Sequence, residues 1–120
     1  MTRSDPQTIL ARAMREKALV AHIVKAAGSL GYRVTHFTTT STEGRYRTAL
    51  QGDKGFVDLV LANGRCVFFV ECKTETGNLS PDQDAWLNML NVTGRVHVRV
   101  WRPSDWLSGA IEREMMEYAR

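Results

Sequence analysis

The chain has 120 residues, 43% of them hydrophobic and 24% charged, which is the size and composition of one soluble domain able to bury its own core. Its 16 Lys and Arg against 13 Asp and Glu leave a net charge of +3, too mild by itself to mark a nucleic-acid binder. No apolar run approaches the roughly 18 residues of a membrane span, and no leader pattern opens the chain.

Cys66 and Cys72 read as sharing one strand roughly 20 Å apart, too far for a disulfide, so they are expected as free thiols of a cytoplasmic protein, the host cytoplasm included if a phage encodes it. Asp5-Pro6 is an N-cap followed by a first-turn proline, and apolar residues then recur at helical spacing through Ile9, Ala13, Val20, Ile23, Ala27 and Leu30. The spacing predicts one long helix, stopped by Gly31. Tyr32 to Thr39 reads as a strand, and the polar stretch from Thr40 to Lys54 as a surface loop or irregular hairpin. Phe56 to Ala62, then Asn63-Gly64, then Arg65 to Lys73 predict two strands joined by a two-residue turn. Ser80-Pro81-Asp82-Gln83 combines a cap, a first-turn proline and the Gln of a capping box. A helix starts there, carries Trp86, Leu87 and Leu90 inward with Met89 beside them, and ends near Gly94. Val96, Val98 and Val100 then alternate with His97, Arg99 and Trp101 as a strand, and Ser104 or Asp105 caps a last helix reaching about Tyr118. This order predicts a single α/β domain, 1–120, with a mixed sheet.

The informative residues are charges set where the pattern predicts burial. A two-residue turn at Asn63-Gly64 pairs residues whose numbers sum to 127, which places Asp58 opposite Phe69 and diagonal to Glu71, on one face of the hairpin. Lys73 lies on that face too. Two carboxylates and an ammonium there form either a solvated ion-pair ladder or a site where both carboxylates meet one cation. Glu16 falls near the middle of the apolar stripe of the first helix and needs a partner, which is either Arg12 one turn earlier or something outside the helix.

Gly55-Phe56-Val57-Asp58, Glu71-Cys72-Lys73 and Gly77-Asn78-Leu79-Ser80-Pro81-Asp82-Gln83-Asp84-Ala85-Trp86, in this order, resemble the VRR-NUC family of the PD-(D/E)xK nuclease superfamily. Its pattern is Gly-x-Pro-Asp, Glu-x-Lys and Gly-x-Leu-Ser-x-x-Gln-x-x-Trp, and the similarity runs over roughly residues 12 to 105. Val57 stands where the family usually has Pro. The resemblance implies a restriction-endonuclease-like three-layer α/β/α core with a central mixed β-sheet flanked by helices. It implies metal ligation by Asp58, Glu71, a first-helix Glu16 and the backbone carbonyl of Cys72, with Lys73 serving the attacking water and Gln83 supporting the site. A capping-box role explains Gln83 equally well.

The activity so implied is Mg²⁺- or Mn²⁺-dependent hydrolysis of DNA, the all-oxygen ligand set suiting hard cations, whereas His22, His36, His97 and the cysteines form no spaced zinc set. Related resolvases act as homodimers on branched DNA such as Holliday junctions, so a homodimer is expected, with Trp101, Trp106, Ile111 and Met115 as candidates for either its face or the core. Arg45, Arg47 and Lys54 are the candidate DNA-phosphate contacts in the polar loop, and Arg95, Arg99 and Arg102 flank the last strand. The alternative is a noncatalytic DNA-binding or assembly module that keeps the nuclease fold. A restriction-type enzyme is a third reading, for which the chain offers no recognition appendage.

Overall fold

The structure is a computed structural model that describes residues 5–37, 40–42, 45–47 and 52–119, with the side chains of 40–42 and 45–47 outside that description. The predicted first helix is two. Asp5 caps α1 (Pro6–Ala13) by accepting from the Thr8 amide at 2.7 Å, and Met14 and Arg15 are then extended before α2 (Glu16–Ser29) begins. No Gly or Pro lies between Arg12 and Lys17, so nothing local announces the break. Tertiary contact sets it: the Gln7 side chain donates to the Leu107 carbonyl at 2.9 Å and Ala11 is buried, while Leu19, Val20, Ile23 and Ala27 of α2 face the core. Ile9 and Ala13, expected inward, are exposed.

β1 (Arg33–His36) covers the first half of the predicted strand, and Thr38 and Thr39 lie outside the described residues. Of the two forms expected for the polar stretch, the hairpin is present: β2 (Thr40–Thr42) pairs antiparallel with β3 (Arg45–Arg47). β4 (Leu59–Ala62) and β5 (Val67–Cys72) form the predicted hairpin in a different register. Asn63 Oδ1 accepts from the amides of Arg65 at 2.9 Å and Cys66 at 3.0 Å, drawing both residues into the loop. Ala62 therefore pairs with Val67 and Leu59 with Val70, so partner numbers sum to 129 in place of 127. A shift of two keeps the parity, and with it the shared face of Asp58 and Glu71. Both cysteines are free, Cys66 within the loop and Cys72 at the end of β5.

α3 (Pro81–Thr93) starts on the predicted capping box and ends at Gly94, whose φ of 73° is the left-handed conformation that glycine adopts at least cost. Leu87 is buried, but Met89 is 70% exposed and points outward. β6 (His97–Trp101) runs parallel to β5 and completes a four-stranded sheet of order β1-β4-β5-β6. Pro103, not Ser104 or Asp105, opens α4 (Pro103–Leu107); the Asp105 carboxylate accepts from the Arg102 amide at 2.8 Å. Gly109 at φ 81° separates α4 from α5 (Ala110–Glu117), so the predicted last helix is also two.

The sheet is packed on both faces, one of them fully buried at β4 and β5 and the other half-buried. Leu59, Leu61, Phe68, Val70, Cys72 and Trp101 meet Leu19, Ile23, Ile111 and Met115 of α2 and α5. Trp101, Ile111 and Met115 belong to this core and so are not available as a dimer face; Trp106 stacks on His22 with ring centroids 5.0 Å apart. On the other face Phe69 packs under Phe56, and Phe56 against Trp86 of α3. This is a mixed four-stranded sheet flanked by helices, the three-layer α/β/α core of restriction-endonuclease-like folds. Among the described residues no helix is long and apolar enough to cross a membrane.

Candidate metal centre

Asp58 precedes β4 by one residue, and extending the register of 129 sets it directly opposite Glu71 in place of diagonal to it. Its Oδ2 accepts from the Cys72 amide at 2.8 Å, which fixes the carboxylate at the end of the hairpin. Glu71, only 1% exposed, accepts at Oε1 from Gln83 Nε2 at 3.0 Å, while its Oε2 is buried with no hydrogen-bond partner. Glu16 reaches the same place from the first turn of α2, where the helix dipole favours a carboxylate. One carboxylate oxygen from each of Glu16, Asp58 and Glu71 lies within 4.8 Å of the other two. The Arg12–Glu16 alternative fails because the two residues sit on separate helices.

The surroundings disfavour ionisation of Glu71 and Glu16. Burial, and then the neighbouring Asp58 carboxylate, push Glu71 up to about 9. Burial also raises Glu16, with Asp58 adding to the effect, and the Lys73 ammonium pulls both glutamates partway back. Lys73 is half-buried and its amide donates to the Trp101 carbonyl at 3.1 Å, so its backbone is tied to β6. The Cys72 thiol is raised by its burial and by the same carboxylates, which leaves it an inert core group.

Gln83 bonds both to the start of its own helix and to Glu71. Its Oε1 accepts from the Ser80 amide at 2.9 Å while its backbone amide donates to Ser80 Oγ at 3.1 Å, closing the capping box; its Nε2 donates to Glu71. The box thus orients a side chain that anchors the buried carboxylate. Gly55 makes this possible: its φ is +88°, and a Cβ there would lie 2.5 Å from the Asp82 carbonyl carbon and 2.7 Å from the Gln83 nitrogen. Only a glycine lets the approach to Asp58 pass this close to the first turn of α3. Arg102 secures the other side, its Nη1 donating to the carbonyls of Thr74 at 2.7 Å, Gly77 at 2.8 Å and Glu75 at 3.3 Å, across the link between Lys73 and α3.

The donor set fits a hard divalent cation. All three side chains offer oxygen, they converge, and an unpartnered buried Glu71 Oε2 is the atom a cation would satisfy. Compared with family models, residues 1–102 match the VRR-NUC domain. The chain belongs to the VRR-NUC family. Metal-dependent nuclease activity is general to this family, and the acidic cluster gives this VRR-NUC domain a candidate place for the metal. Comparison with curated proteins and with solved structures gives no match. Val57, in the place of the usual proline, is buried, and the Asp58 side chain beyond it still receives the Cys72 amide.

The remaining candidates are basic residues and histidines elsewhere in the chain. Lys54 is exposed on the approach to Gly55, and Arg45 and Arg47 sit on β3, their side chains outside the description. Arg99 is paired with Glu114 at 2.7 Å and Arg102 is occupied by three carbonyls, so both are structural and not phosphate contacts. His22 and His97 stack on Trp106 and Phe68. The roles of Gly55 and Arg102 escape a reading of the sequence, because each depends on a backbone distant in the chain; the only local signal is a glycine just before a strand.

Proposed function

We propose that this VRR-NUC protein is an Mg²⁺- or Mn²⁺-dependent deoxyribonuclease that cuts phosphodiester bonds within branched DNA such as Holliday junctions, acting as a homodimer. The observation that carries the reading is the convergence of the Glu16, Asp58 and Glu71 carboxylates in a chain of this family, with Glu71 Oε2 buried and without a partner. These three carboxylates, with the Cys72 backbone carbonyl, are the proposed ligands. When bound, the cation lowers the pKa of a water and neutralises charge on the substrate phosphate.

The chain's own residues do the rest. Gln83 and the Cys72 amide hold Glu71 and Asp58 in fixed orientations, so little reorganisation accompanies substrate binding. Lys73 supplies a positive charge beside the carboxylates, where it orients the attacking water and offsets charge developing on the phosphoryl oxygens. Arg45, Arg47 and Lys54 grip flanking phosphates, an electrostatic contact indifferent to sequence. Two copies supply two sites for two strands, which the small size of one domain favours.

Four-way junction, splayed and linear duplex DNA, each incubated with Mg²⁺ or Mn²⁺, test this. The parent is expected to cut the junction, and Glu71→Ala or Lys73→Ala to slow cutting by about 10²–10⁴-fold. If every DNA stays intact while binding persists, the protein is a noncatalytic DNA-binding module. If the variants cut like the parent, the residue assignment is wrong.

A further inference from the structure

Among the Phe, Trp and Tyr side chains the structure describes, Phe37 alone is exposed, at 48%. Its amide donates to the Asp58 carbonyl at 2.8 Å, which carries the β1–β4 ladder one residue past the His36↔Leu59 pair. Asp58 in turn stands opposite Glu71 one step past Leu59↔Val70. Cross-strand partners share a face, with Cα atoms about 5.5 Å apart. Phe37, Asp58 and Glu71 therefore form one row across the sheet, and Phe37 flanks the acidic cluster on the side where the sheet ends.

Among the described aromatic side chains, Phe37 meets one. Its ring stands nearly perpendicular to Phe56 with centroids 5.3 Å apart, and Phe56 is braced by Trp86 at 4.8 Å and Phe69 at 6.2 Å. An isolated exposed phenylalanine is ordinary on a protein surface. This one is fixed by an aromatic chain rooted under α3 and stands one strand from a carboxylate of the candidate metal centre, so a polymer with a phosphate at that centre has its next residue within reach of the ring.

We infer that Phe37 is a stacking subsite for an unpaired nucleobase of the DNA strand whose phosphate lies at the acidic cluster. The inference rests on the nuclease reading and narrows its substrate to strands with an unstacked base beside the cut, as at a branch, a flap or a gap. Inside a paired duplex both faces of a base are covered by its neighbours, and only an unstacked base has a face to offer an aromatic ring. Phenylalanine has no hydrogen-bonding group, so the subsite selects DNA structure and not base identity.

The test couples the ring to the base. Junction and splayed DNAs are made with an abasic site placed in turn at each nucleotide adjoining the mapped cut, and binding and cleavage are measured for the parent, Phe37→Leu and Phe37→Trp. Leu keeps an apolar contact for Phe56, whereas Trp keeps a flat face. With the base present, Phe37→Leu is expected to bind roughly tenfold more weakly and Phe37→Trp to match the parent. At one position, removing the base weakens the parent by the same factor and abolishes the difference between parent and Phe37→Leu. Because the coupling compares two DNAs bound by the same variant, a general loss of stability cancels. If the parent cuts but Phe37→Leu loses the same factor with and without the base at every position, or loses nothing, the subsite is refuted while the nuclease reading stands. If the parent cuts none of these DNAs, the nuclease reading falls, and the subsite with it.

Discussion

Replacing Glu71 by Gln should stabilise the metal-free protein and abolish its response to metal. The folded state holds the Glu71 carboxyl up to about 9 against an ordinary 4.5, so between these values the folded chain binds more protons than the unfolded one. Stability is then fullest below 4.5 and falls as pH rises toward 9. At about 1.4 kcal/mol per pH unit, keeping Glu71 protonated in the fold while the unfolded chain ionises it costs about 3 kcal/mol at pH 7 and under about 1 kcal/mol at pH 5. Gln cannot ionise in either state, keeps an oxygen to accept from Gln83 Nε2, and brings donors to the unpartnered position and to Asp58. In EDTA at pH 7 Glu71→Gln should therefore gain up to about 3 kcal/mol, or about 10 °C in Tm for a domain of this size. The gain should nearly vanish at pH 5. Manganese at about 100 times its Kd stabilises the parent by about 2.7 kcal/mol and should do little for the variant, so the gap closes when metal is added. Urea or thermal unfolding followed by circular dichroism, from pH 5 to 8 with EDTA or Mn²⁺, reads all of this. A variant less stable than the parent in EDTA at pH 8, or a difference independent of pH, would show that Glu71 is compensated and that the unpartnered oxygen implies no cation.

Manganese affinity measured by calorimetry should rise with pH between about 6 and 8, by at most about tenfold per unit, because Glu71 must release its proton to bind; a flat profile removes Glu71 from the ligand set. Gln83→Ala deletes half of the capping box and the Glu71 hydrogen bond together, an expected loss of about 2 kcal/mol in urea unfolding, against under about 0.5 kcal/mol if neither bond forms in solution. Gly55→Ala sets a Cβ 2.5 Å from the Asp82 carbonyl carbon at a φ of +88°, and should cost about 2–4 kcal/mol or displace α3, visible as altered amide shifts in Asp82 and Gln83. Arg102→Ala leaves three carbonyls without their donor and should speed hydrogen exchange across residues 74–80, with unchanged exchange counting against a clamp.

Much of the fold was legible because local chemistry and tertiary structure agree. The Ser80 capping box, Pro81 and Gly94 mark both ends of α3, and the alternation from Val96 to Trp101 marks β6. The hairpin was legible in parity but not in register, since Asn63 uses its side chain to extend the loop by two residues, and a shift of two leaves every side chain on its own face. The first broken helix was not legible, since it carries no breaker and its break follows from where α1 docks on α4, whereas the second breaks at a glycine, Gly109.

The candidate site divides in the same way. By itself the sequence singled out the candidate site residues, because Asp58, Glu71, Lys73 and Gln83 lie in a recognisable order, and Glu16 is a charge on an apolar stripe. Only the tertiary structure decided that Glu16 joins Asp58 and Glu71, that Gln83 is both cap and anchor, that Arg99 and Arg102 are consumed internally, and that Phe37 stands exposed beside the cluster. Periodicity reports which face a residue occupies, whereas a metal centre depends on a few ångströms between elements remote in the chain, and those distances are set by packing.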